Sequence, residues 1–502
     1  MWTDGSERRI FINSRWRLIA LDAATGRPIE SFGRGGEIDL TEDLLWDVNR
    51  LHYTNTSPPV VWGDLVIVGS GMPDDRVYRR NPPGDVQAFD VRTGERVWSF
   101  HTIPQEGEYG NETWEDDSWS YTGSTNVWAP ITIDDERGLV YLPVGTPNGD
   151  YYGGQRKGDN LFAESLVCLD ARTGERVWHF QTVHHGLWDY DLPAPPNLMT
   201  LEVEGRTIDA VGVITKSGFT FVFDRVTGEP VWPIEERPVP ASDVPGEVTS
   251  ATQPFPTKPA PFARQGFTED DLIDLTPELR ARALEAVAPY RLGGLFTAPS
   301  LEGTIMDPSP IGAAGWGGAA FDPETHVLYV PSKSRPLVVQ LYAPEEGVTD
   351  APYVQRLRGV GAGGGIPIGK PPYGTLTAID MDRGEHLWQV VIGDQPRMRA
   401  HPALRDLDLP PLGQLGHAGP MVTAGGVIFL SGNNPELYAI DTASGEILWK
   451  GDLGGVVGTA NPMTYRARDG RQYVVIGVST AGGQDGGLVA FALPEGRSVA
   501  GS

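Results

Sequence analysis

"AFDVRTGERVWSF", residues 88–100, shows the pattern that decides the fold. Alternating apolar residues lead to an aspartate, a Thr-Gly-Glu turn follows, and a second alternating run carries a tryptophan. Alternation with a period of two on both sides of a tight turn is typical of a β-hairpin, because glycine tolerates the positive φ that such a turn needs. The stretch therefore predicts two antiparallel strands.

Six copies of this phrase occur along the chain. They are "ALDAATGRPIESF" (20–32), "AFDVRTGERVWSF" (88–100), "CLDARTGERVWHF" (168–180), "VFDRVTGEPVWPI" (222–234), "AIDMDRGEHLWQV" (378–390) and "AIDTASGEILWKG" (439–451). The long interval between the fourth and fifth copies has room for a hidden unit, which includes "GWGGAAFDPETHVLYVPS" (315–332). A degenerate copy, "GLVAFALPEG" (487–496), brings the expected number of units to eight.

Repeats of this length, each rich in hairpins, are typical of propeller blades, which must stack on their neighbours to bury both faces. We therefore predict an all-β, eight-bladed propeller that forms one domain over residues 1–502. The recurring tryptophans are expected to pack between neighbouring sheets. Residues 235–300 depart from the repeat and are expected to form a partly helical loop excursion, a lid or rim, with a helix capped by Thr276 in "TPEL".

The composition agrees with a fold of short strands and many turns, since 502 residues include 63 glycines and 43 prolines. A net charge of −26 argues against nucleic acid or an anionic membrane surface as a partner. Cys168 is the single cysteine, so no internal disulfide can form, and no CxxCH motif for covalent haem occurs. No apolar run is long enough to predict a transmembrane segment. No signal segment is recognisable either, and because the chain opens inside patterned sequence we expect a leader or a first strand to be missing from it.

Function in a repeat protein is sought where one copy carries residues that the others lack. Four stretches do so: "TSPPVVWGDLVIVGSGMPDDRVYRR" (56–80), "NVWAPITIDDERGLVYLPVGTPNGDYYGG" (126–154), "HHGLWDYDLPAPP" (184–196) and "VGVITKSGFTFVFDR" (211–225). The candidate residues in them are Asp74, Asp75, Trp128, Thr146, Asp189 and Lys216.

These residue types suit a flat, polyanionic, redox-active ring and a hydroxyl substrate. A tryptophan offers a stacking face, a lysine can donate to a carbonyl oxygen, and an aspartate can take a hydroxyl proton. A divalent cation on oxygen ligands could polarise the same carbonyl. Taken singly, a lysine in a strand is more often a surface residue and an Asp-Asp pair is more often a solvated turn. Their joint occurrence at positions that break the repeat favours a site.

The repeat resembles that of the quinoprotein dehydrogenases, which are eight-bladed propellers that use pyrroloquinoline quinone (PQQ). The finer pattern is most similar to the catalytic domain of membrane-bound quinoprotein glucose dehydrogenases. The shared phrases cover nearly the whole chain: "TSPP" (56–59), "NVWAP" (126–130), "QTVHHGLWDYDLPAPP" (181–196), "TKSGFTFVFDR" (215–225) and "NPMTYRARDGRQYVVI" (461–476).

The resemblance implies a role for each matching residue. Asp189 matches the catalytic base, Lys216 the lysine that bonds the quinone oxygens, and Trp128 the aromatic residue on the cofactor ring. Asp74, Asp75 and Thr146 match the region of the ligands to a Ca²⁺ or Mg²⁺ ion, and we also expect them to lie against the cofactor. The family pattern there has Asp-Asn where this chain has Asp74-Asp75.

Two departures concern the substrate. Arg15 stands where the glucose enzymes carry a histidine, and Ser332 stands where they carry an asparagine near the quinone. Cofactor binding is expected to survive these changes, but glucose as the substrate does not follow. Arg15 and His185 are the candidate substrate contacts, and Ser332 is a candidate cofactor contact.

The expected reaction is PQQ-dependent oxidation of a sugar or other alcohol, with proton abstraction by Asp189 and hydride transfer to the quinone C5. Electrons would pass to an external acceptor, a cytochrome or a quinone, and the family implies a periplasmic or otherwise extracytoplasmic location. Two alternatives stay open. One is a non-enzymatic propeller that binds protein partners, and the other is a PQQ-binding relic with an altered substrate pocket.

Overall fold

The computed structural model describes residues 1–74, 77–480 and 485–493. Within them, antiparallel strands make up most of the regular structure, and the α-helices are Pro277–Val287 (α1) and Pro396–Arg399 (α2). Short 3₁₀ turns occur at Arg50–His52, Asn111–Thr113, Glu115–Ser120 and Glu269–Asp271. No helix in this part of the chain combines the length and apolar character needed to cross a membrane.

Four sheets follow one another in the first half of the chain. Sheet 1 consists of Trp2–Thr3 (β1), Arg8–Ser14 (β2), Arg17–Asp22 (β3) and Glu37–Asp39 (β4). Sheet 2 consists of Val60–Trp62 (β5), Leu65–Val68 (β6), Val86–Asp90 (β7) and Arg96–Phe100 (β8). Sheet 3 consists of Thr132–Asp134 (β9), Leu139–Pro143 (β10), Ser165–Asp170 (β11) and Arg176–Gln181 (β12). Sheet 4 has three strands, Asn197–Val203 (β13), Arg206–Ile214 (β14) and Thr220–Asp224 (β15).

The excursion after sheet 4 is partly helical, as predicted. It contains two small hairpins, Ile234–Pro238 (β16) with Thr252–Pro256 (β17) and Gly266–Phe267 (β18) with Gly293–Gly294 (β19). Helix α1 lies between β18 and β19, and the Thr276 side chain caps it by accepting from the backbone N–H of Leu279 at 3.2 Å. The sequence signal for this helix start is confirmed.

Residues 304–391 form two interleaved sheets. The strands in chain order are Thr304–Met306 (β20), Ala320–Asp322 (β21), Val327–Lys333 (β22), Leu337–Tyr342 (β23), Val354–Gly359 (β24), Gly374–Asp380 (β25) and Glu385–Val391 (β26). Sheet 5 has the order β21-β22-β25-β26, whereas β20, β23 and β24 form a separate inserted sheet. The prediction that residues 315–332 belong to a separate unit is therefore wrong. Their strands, β21 and β22, form the first half of the sheet that also contains the fifth copy.

Two further sheets complete the described chain. Sheet 6 consists of Met421–Thr423 (β27), Val427–Leu430 (β28), Glu436–Asp441 (β29) and Ile447–Asp452 (β30). Sheet 7 consists of Val457–Gly458 (β31), Met463–Arg466 (β32), Gln472–Ser479 (β33) and Gly486–Phe491 (β34). The degenerate copy supplies β34, and its residues 494–496 lie outside the described part. The repeat thus accounts for seven sheets in succession.

The turn aspartates explain why the phrase recurs. In every copy the aspartate accepts backbone N–H bonds from the residues two and three positions later, as Asp90 does from Arg92 and Thr93, both at 2.8 Å. These side-chain bonds add to the backbone bonds that close each turn, such as that from Gly94 N–H to the Asp90 carbonyl at 2.9 Å. In the first and fourth copies the arm after the turn makes only one bridge, at Pro28 and Pro230. Proline offers no N–H to continue the ladder there.

The repeated tryptophans join neighbouring sheets, as predicted. Trp178 of β12 donates its indole N–H to the carbonyl of Arg225 in the next sheet at 3.1 Å. Its ring also fills the space that a side chain at Gly228 would need, since a Cβ there would lie 2.6 Å from Trp178. Trp98 and Trp388 make the same indole bond to the sheet that follows each of them. The tryptophan of the repeat thus contributes to packing between successive sheets.

Candidate active site

A cavity of about 940 Å³, called the site cavity below, lies where loops of several sheets meet. Its walls come from the chain after β6, the entry to β9, the loops after β10 and β12, and the β14–β15 turn. The predicted residues among its lining are Asp74, Trp128, Thr146, Asp189 and Lys216. Groups that are far apart along the chain thus share one space.

The loop after β12 presents two carboxylates through simple alternation. Trp188, Tyr190 and Leu192 are fully buried in the core, whereas Asp189 and Asp191 between them line the site cavity. Aromatic anchors and acids therefore alternate along this loop. Asp189 has a φ of 54°, a left-handed conformation that aspartate tolerates better than most residues.

Residues 296–308, beyond α1, hold this loop from behind. The Trp188 indole donates to the carbonyl of Thr297 at 3.0 Å, and the Tyr190 hydroxyl donates to the carbonyl of Pro308 at 2.7 Å. Phe296 meets the Trp188 ring edge to face with centroids 5.1 Å apart. The aromatic residues of "GLWDYDLP" therefore fix the positions of its two aspartates.

Lys216 lies in the turn between β14 and β15 and bridges both acids. Its Nζ donates to Asp189 Oδ1 at 2.7 Å and to Asp191 Oδ2 at 2.9 Å, and its side chain is nearly buried. Nζ also lies 5.7 Å from the centroid of the Trp128 ring, within the range of a cation–π contact. An ammonium group has three donors, so the two aspartates leave one for a ligand.

Asp191 accepts more hydrogen bonds than Asp189 does. Its Oδ1 accepts from the Thr146 backbone N–H at 2.6 Å and from the Thr146 hydroxyl at 2.8 Å, while the Trp128 indole donates to Oδ2 at 3.1 Å. Asp189 Oδ2 accepts one bond, from the Tyr151 hydroxyl at 3.1 Å, besides the Lys216 bond to its other oxygen.

Because Asp191 accepts more hydrogen bonds, its pKa differs from that of Asp189. Burial raises the pKa of Asp189 well above its usual range, although Lys216 acts against this. Burial also acts to raise the pKa of Asp191, but the charge of Lys216 and the bonds from Lys216 and Thr146 outweigh it and lower this pKa to about 2. Both aspartates raise the pKa of Lys216 against the effect of burial. The arrangement is an ionised Asp191, a charged Lys216 and an Asp189 that binds a proton more readily.

Two more carboxylates face the same space. Asp74 and Asp150 both line the site cavity. Burial, followed by the charges of Asp74 and Asp191, raises the pKa of Asp150 well above its usual range. Negative charge is therefore concentrated on this side of the cavity, where a cation would relieve the repulsion.

The polar lining fits a flat, anionic, carbonyl-bearing cofactor. The Trp128 face and the Lys216 donor stand beside the hydroxyl of Ser124 and the amide of Asn126. Asn148, which also lines the cavity, accepts from Asn81 but its buried Nδ2 has no hydrogen-bond partner among the described residues. A buried donor without a partner is costly unless a ligand completes it.

The structure gives less support to the predicted metal ligands than to the predicted cofactor contacts. Asp75 lies outside the described residues. The Thr146 hydroxyl is engaged by Asp191. Across residues 1–74, 77–480 and 485–493, no group of three His, Cys, Asp or Glu side chains is arranged to hold a metal ion.

Three other predicted contacts lie elsewhere, none of them among the residues lining the site cavity. Arg15 is exposed in the tight β2–β3 turn, with its side chain outside the cavity wall. His185 is buried, and its two ring nitrogens meet the carbonyl of Gly158 at 2.7 Å and Glu247 Oε1 at 2.8 Å. The hydroxyl of Ser332 shares a 2.7 Å bond with that of Thr375. The roles of Arg15 and His185 as substrate contacts, and of Ser332 as a cofactor contact, therefore stay predictions that this cavity does not support.

Sequence reasoning missed several lining residues. Asp150 and Tyr151 directly follow the Thr146 turn, and only their place beside that candidate could have indicated them. Trp316 and His417 stack with their ring planes 9° apart, although they lie in the separate segments that lead into β21 of sheet 5 and β27 of sheet 6. No local pattern marks that pair.

Comparisons with known proteins show which family the chain resembles over most of its length. The family model described as PQQ: Glucose/ethanol/alcohol dehydrogenase, beta-propeller domain, matches residues 1–474. The quinate/shikimate dehydrogenase (quinone) of Acinetobacter baylyi is 34% identical over 95% of this chain and 61% of its own length. The glycerol dehydrogenase large subunit of Gluconobacter oxydans is 35% identical over 95% and 68%, and the quinoprotein glucose dehydrogenase of Escherichia coli is 34% identical over 95% and 62%. The chain thus spans about three fifths to two thirds of these relatives.

Solved structures support the fold. The quinohemoprotein alcohol dehydrogenase of Comamonas testosteroni superimposes with a TM-score of 0.67 at 23% identity, over 96% of this chain and 65% of that one. A europium-containing methanol dehydrogenase gives a TM-score of 0.66 at 22% identity, over 95% and 72%. The sheets, the family match and these neighbours together identify the chain as a member of the PQQ-dependent glucose, ethanol and alcohol dehydrogenase family, in its β-propeller domain.

Proposed function

We propose that this chain is the catalytic domain of a quinoprotein dehydrogenase that oxidises a hydroxyl group of a sugar or other alcohol. One observation carries the proposal. Lys216 Nζ lies 2.7 Å from Asp189 Oδ1 and 5.7 Å from the Trp128 ring centroid, in a cavity of about 940 Å³. A base, a donor and an aromatic face are thus arranged around a space of the size that cofactors occupy.

When bound, PQQ supplies an ortho-quinone that accepts the hydride removed from the alcohol carbon. Trp128 would pack against one face of the planar ring. The remaining N–H of Lys216 would donate to a quinone oxygen and stabilise the negative charge that develops there. Nδ2 of Asn148, which has no hydrogen-bond partner within the described residues, offers a further donor to the cofactor.

Asp189 would accept the proton of the substrate hydroxyl. A raised pKa makes a carboxylate a stronger base, while the charge of Lys216 favours the ionised form that can accept the proton. Asp191 would stay ionised throughout and hold Lys216 and Trp128 in place. The two acids would therefore divide the work of proton transfer and positioning.

A Ca²⁺ or Mg²⁺ ion is part of the proposal, and no step is assigned to it. Asp74 and Asp150 supply the carboxylate oxygens that such an ion prefers, and Asp75 and Thr146 stay candidate ligands from the resemblance. The mutual repulsion of Asp74, Asp150 and Asp191 supports a cation on this side of the cavity.

The remaining features rest on the relatives. We propose an external electron acceptor, a cytochrome or a quinone, and an extracytoplasmic location. The eight-bladed ring implied by the family also stays a prediction beside the seven successive sheets described above. Glucose is not favoured over other polyols as the substrate.

Titration of the purified protein with PQQ and Ca²⁺ tests the proposal. We expect tryptophan fluorescence to be quenched as PQQ fills the cavity, and an artificial dye to be reduced with one or more members of an alcohol and aldose panel. Asp189→Asn should lower kcat by about 10²–10⁴-fold while PQQ binding is retained. A folded protein that binds no PQQ at micromolar concentration would contradict the proposal. PQQ binding without turnover of any panel member would favour the alternative of a PQQ-binding relic with an altered substrate pocket.

A further inference from the structure

A second cavity of about 700 Å³ adjoins the site cavity. Ile311 and His417 line both spaces, so one wall is shared. The second cavity continues past Lys333 and Arg335 towards the glycine-rich segment 359–366. Neither Lys333 nor His417 has a part in the reaction described above.

Lys333 ends strand β22 and reaches this shared wall. Its Nζ lies 2.8 Å from Nδ1 of His417, and its side chain is 8% exposed. His417 in turn stacks on Trp316. When Lys333 is charged its amine can only donate, so Nδ1 of His417 then accepts and the proton of the neutral imidazole lies on Nε2. The pair therefore offers donors only.

The positive charge of Lys333 has no counterion within the described residues. No ion pair among the described residues includes Lys333. The nearby cations Lys216 and Arg264 pair with aspartates of their own. Lys216, the other buried lysine of the two cavities, is held by two aspartates. Burial, together with the charges of Lys216 and Arg335, lowers the pKa of Lys333 to about 7. An anion at this wall would restore its charge.

We propose that Lys333 and His417 form a subsite for an organic carboxylate that spans the junction of the two cavities. The carboxylate would accept from Lys333 Nζ and from His417, and the amides of Gln414 and Asn433, which also line the second cavity, offer further donors. This inference rests on the proposed function only for the source of the carboxylate. That source is either the anionic cofactor itself or an acidic substrate with a hydroxyl group to be oxidised.

The buried surroundings favour a carboxylate over a neutral polyol. A buried lysine with no acidic partner gains most from a ligand that brings the missing negative charge. Neutral hydroxyls would be bound no better here than in water. The subsite would therefore select ligands by charge.

The test compares wild type with Lys333→Met and with Lys450→Met, which removes an exposed lysine of β30. In cofactor-free protein, thermal shift is measured with quinate, a hydroxy acid, and with glycerol, a neutral polyol. PQQ affinity is measured by tryptophan fluorescence in the same three proteins. Lys333→Gln serves as a second variant if Lys333→Met does not fold, and Lys333→Arg should keep the binding.

Two results support the subsite and distinguish the sources. A substrate carboxylate is indicated if quinate, but not glycerol, raises the Tm of wild type and Lys450→Met and not that of Lys333→Met. A cofactor carboxylate is indicated if Lys333→Met weakens PQQ binding by about tenfold or more, the usual value of a bond to a charged group. The inference is overturned if the folded Lys333 variants match wild type with both probes. A wild type that binds no PQQ defeats the proposed function alone, because the quinate measurement needs no cofactor.

Discussion

Trp128 and Asp191 are joined by a hydrogen bond, 3.1 Å from the indole nitrogen to Oδ2, that ties the aromatic wall of the site cavity to its buried charges. The same oxygen accepts from Lys216 at 2.9 Å, and Oδ1 accepts from Thr146. One carboxylate thus positions the stacking face and the ammonium group relative to each other. We therefore expect Asp191 to act as a positioning residue rather than as a second base.

Asp191→Asn tests this role. The amide removes the negative charge and replaces one acceptor with a donor, which faces either the donors of Thr146 or the indole N–H and the ammonium group. We expect both PQQ affinity and kcat to fall, by roughly 10- to 100-fold, the range seen when residues that orient a site are lost. Fluorescence titration and dye reduction measure the two effects. Asp408→Asn, at an exposed position, is the control, and an unchanged PQQ affinity in Asp191→Asn would contradict the assignment.

Lys216 and Asp189 are expected to be energetically coupled. Lys216→Met leaves two buried carboxylates without their cation and should lower the free energy of unfolding by about 3–5 kcal/mol. Asp189→Asn in the same chain relieves part of that repulsion, so the double variant should be less destabilised than the two single effects together. Urea unfolding of the four proteins gives the coupling energy. Simple additivity would show that the pair does not interact as its 2.7 Å bond indicates.

The repeat made the local fold predictable. Each copy needs an aspartate to cap the turn and a glycine of positive φ, as Asp170 and Gly174 show. What the repeat could not reveal is how strands are shared among sheets. Strands β23 and β24 interrupt sheet 5 between β22 and β25, and alternation looks the same in an inserted strand as in a sheet that continues the series.

The candidate site was predictable where residue chemistry differed from the repeat. Lys216, Trp128 and Asp189 stood out for that reason, and the structure brings them to one cavity. Ser332 shows the limit of such predictions, because its side chain lines neither of the two cavities. A shift of one residue along a strand reverses the face that a side chain occupies, and it is the neighbouring Lys333 that reaches a cavity.

Close packing of Trp178 on the next sheet gives a test of the fold. A Cβ at Gly228 would lie 2.6 Å from the Trp178 ring, whereas a Cβ at Gly205 would meet nothing within 4 Å. Both glycines have nearly the same φ, 76° and 75°. Alanine at either position carries a similar backbone cost, so the clash alone separates them.

We therefore expect Gly228→Ala to lower the free energy of unfolding by about 1–3 kcal/mol more than Gly205→Ala does, the usual cost of overpacking. Equilibrium unfolding in urea measures the difference. Equal losses in the two variants would show that Trp178 does not dock tightly on the turn of sheet 4.

Glu164 should make the stability depend on pH. The residue is completely buried, and its carboxyl packs against Gly186 in the loop that carries Asp189, where a Cβ would lie 1.5 Å from Oε2. Burial first, and then the charge of Asp191, raises the pKa of Glu164 from 4.5 to about 8. The folded protein thus holds a proton that the unfolded chain releases at lower pH. The resulting stability is fully present below pH 4.5 and is lost as the pH rises through about 8.

Glu164→Gln keeps the shape of the side chain and removes this titration. Wild type should lose stability relative to the variant between pH 5 and 8, by on the order of 4 kcal/mol in all, because each tenfold difference in proton affinity between the folded and unfolded protein corresponds to about 1.4 kcal/mol. Urea unfolding at several pH values measures the difference, and Glu324→Gln, at an exposed turn position, should follow wild type throughout. If the curves of wild type and Glu164→Gln stay parallel over this range, Glu164 is ionised in the folded protein, and a buried cation such as Arg156 must then stabilise it more strongly than its burial opposes it.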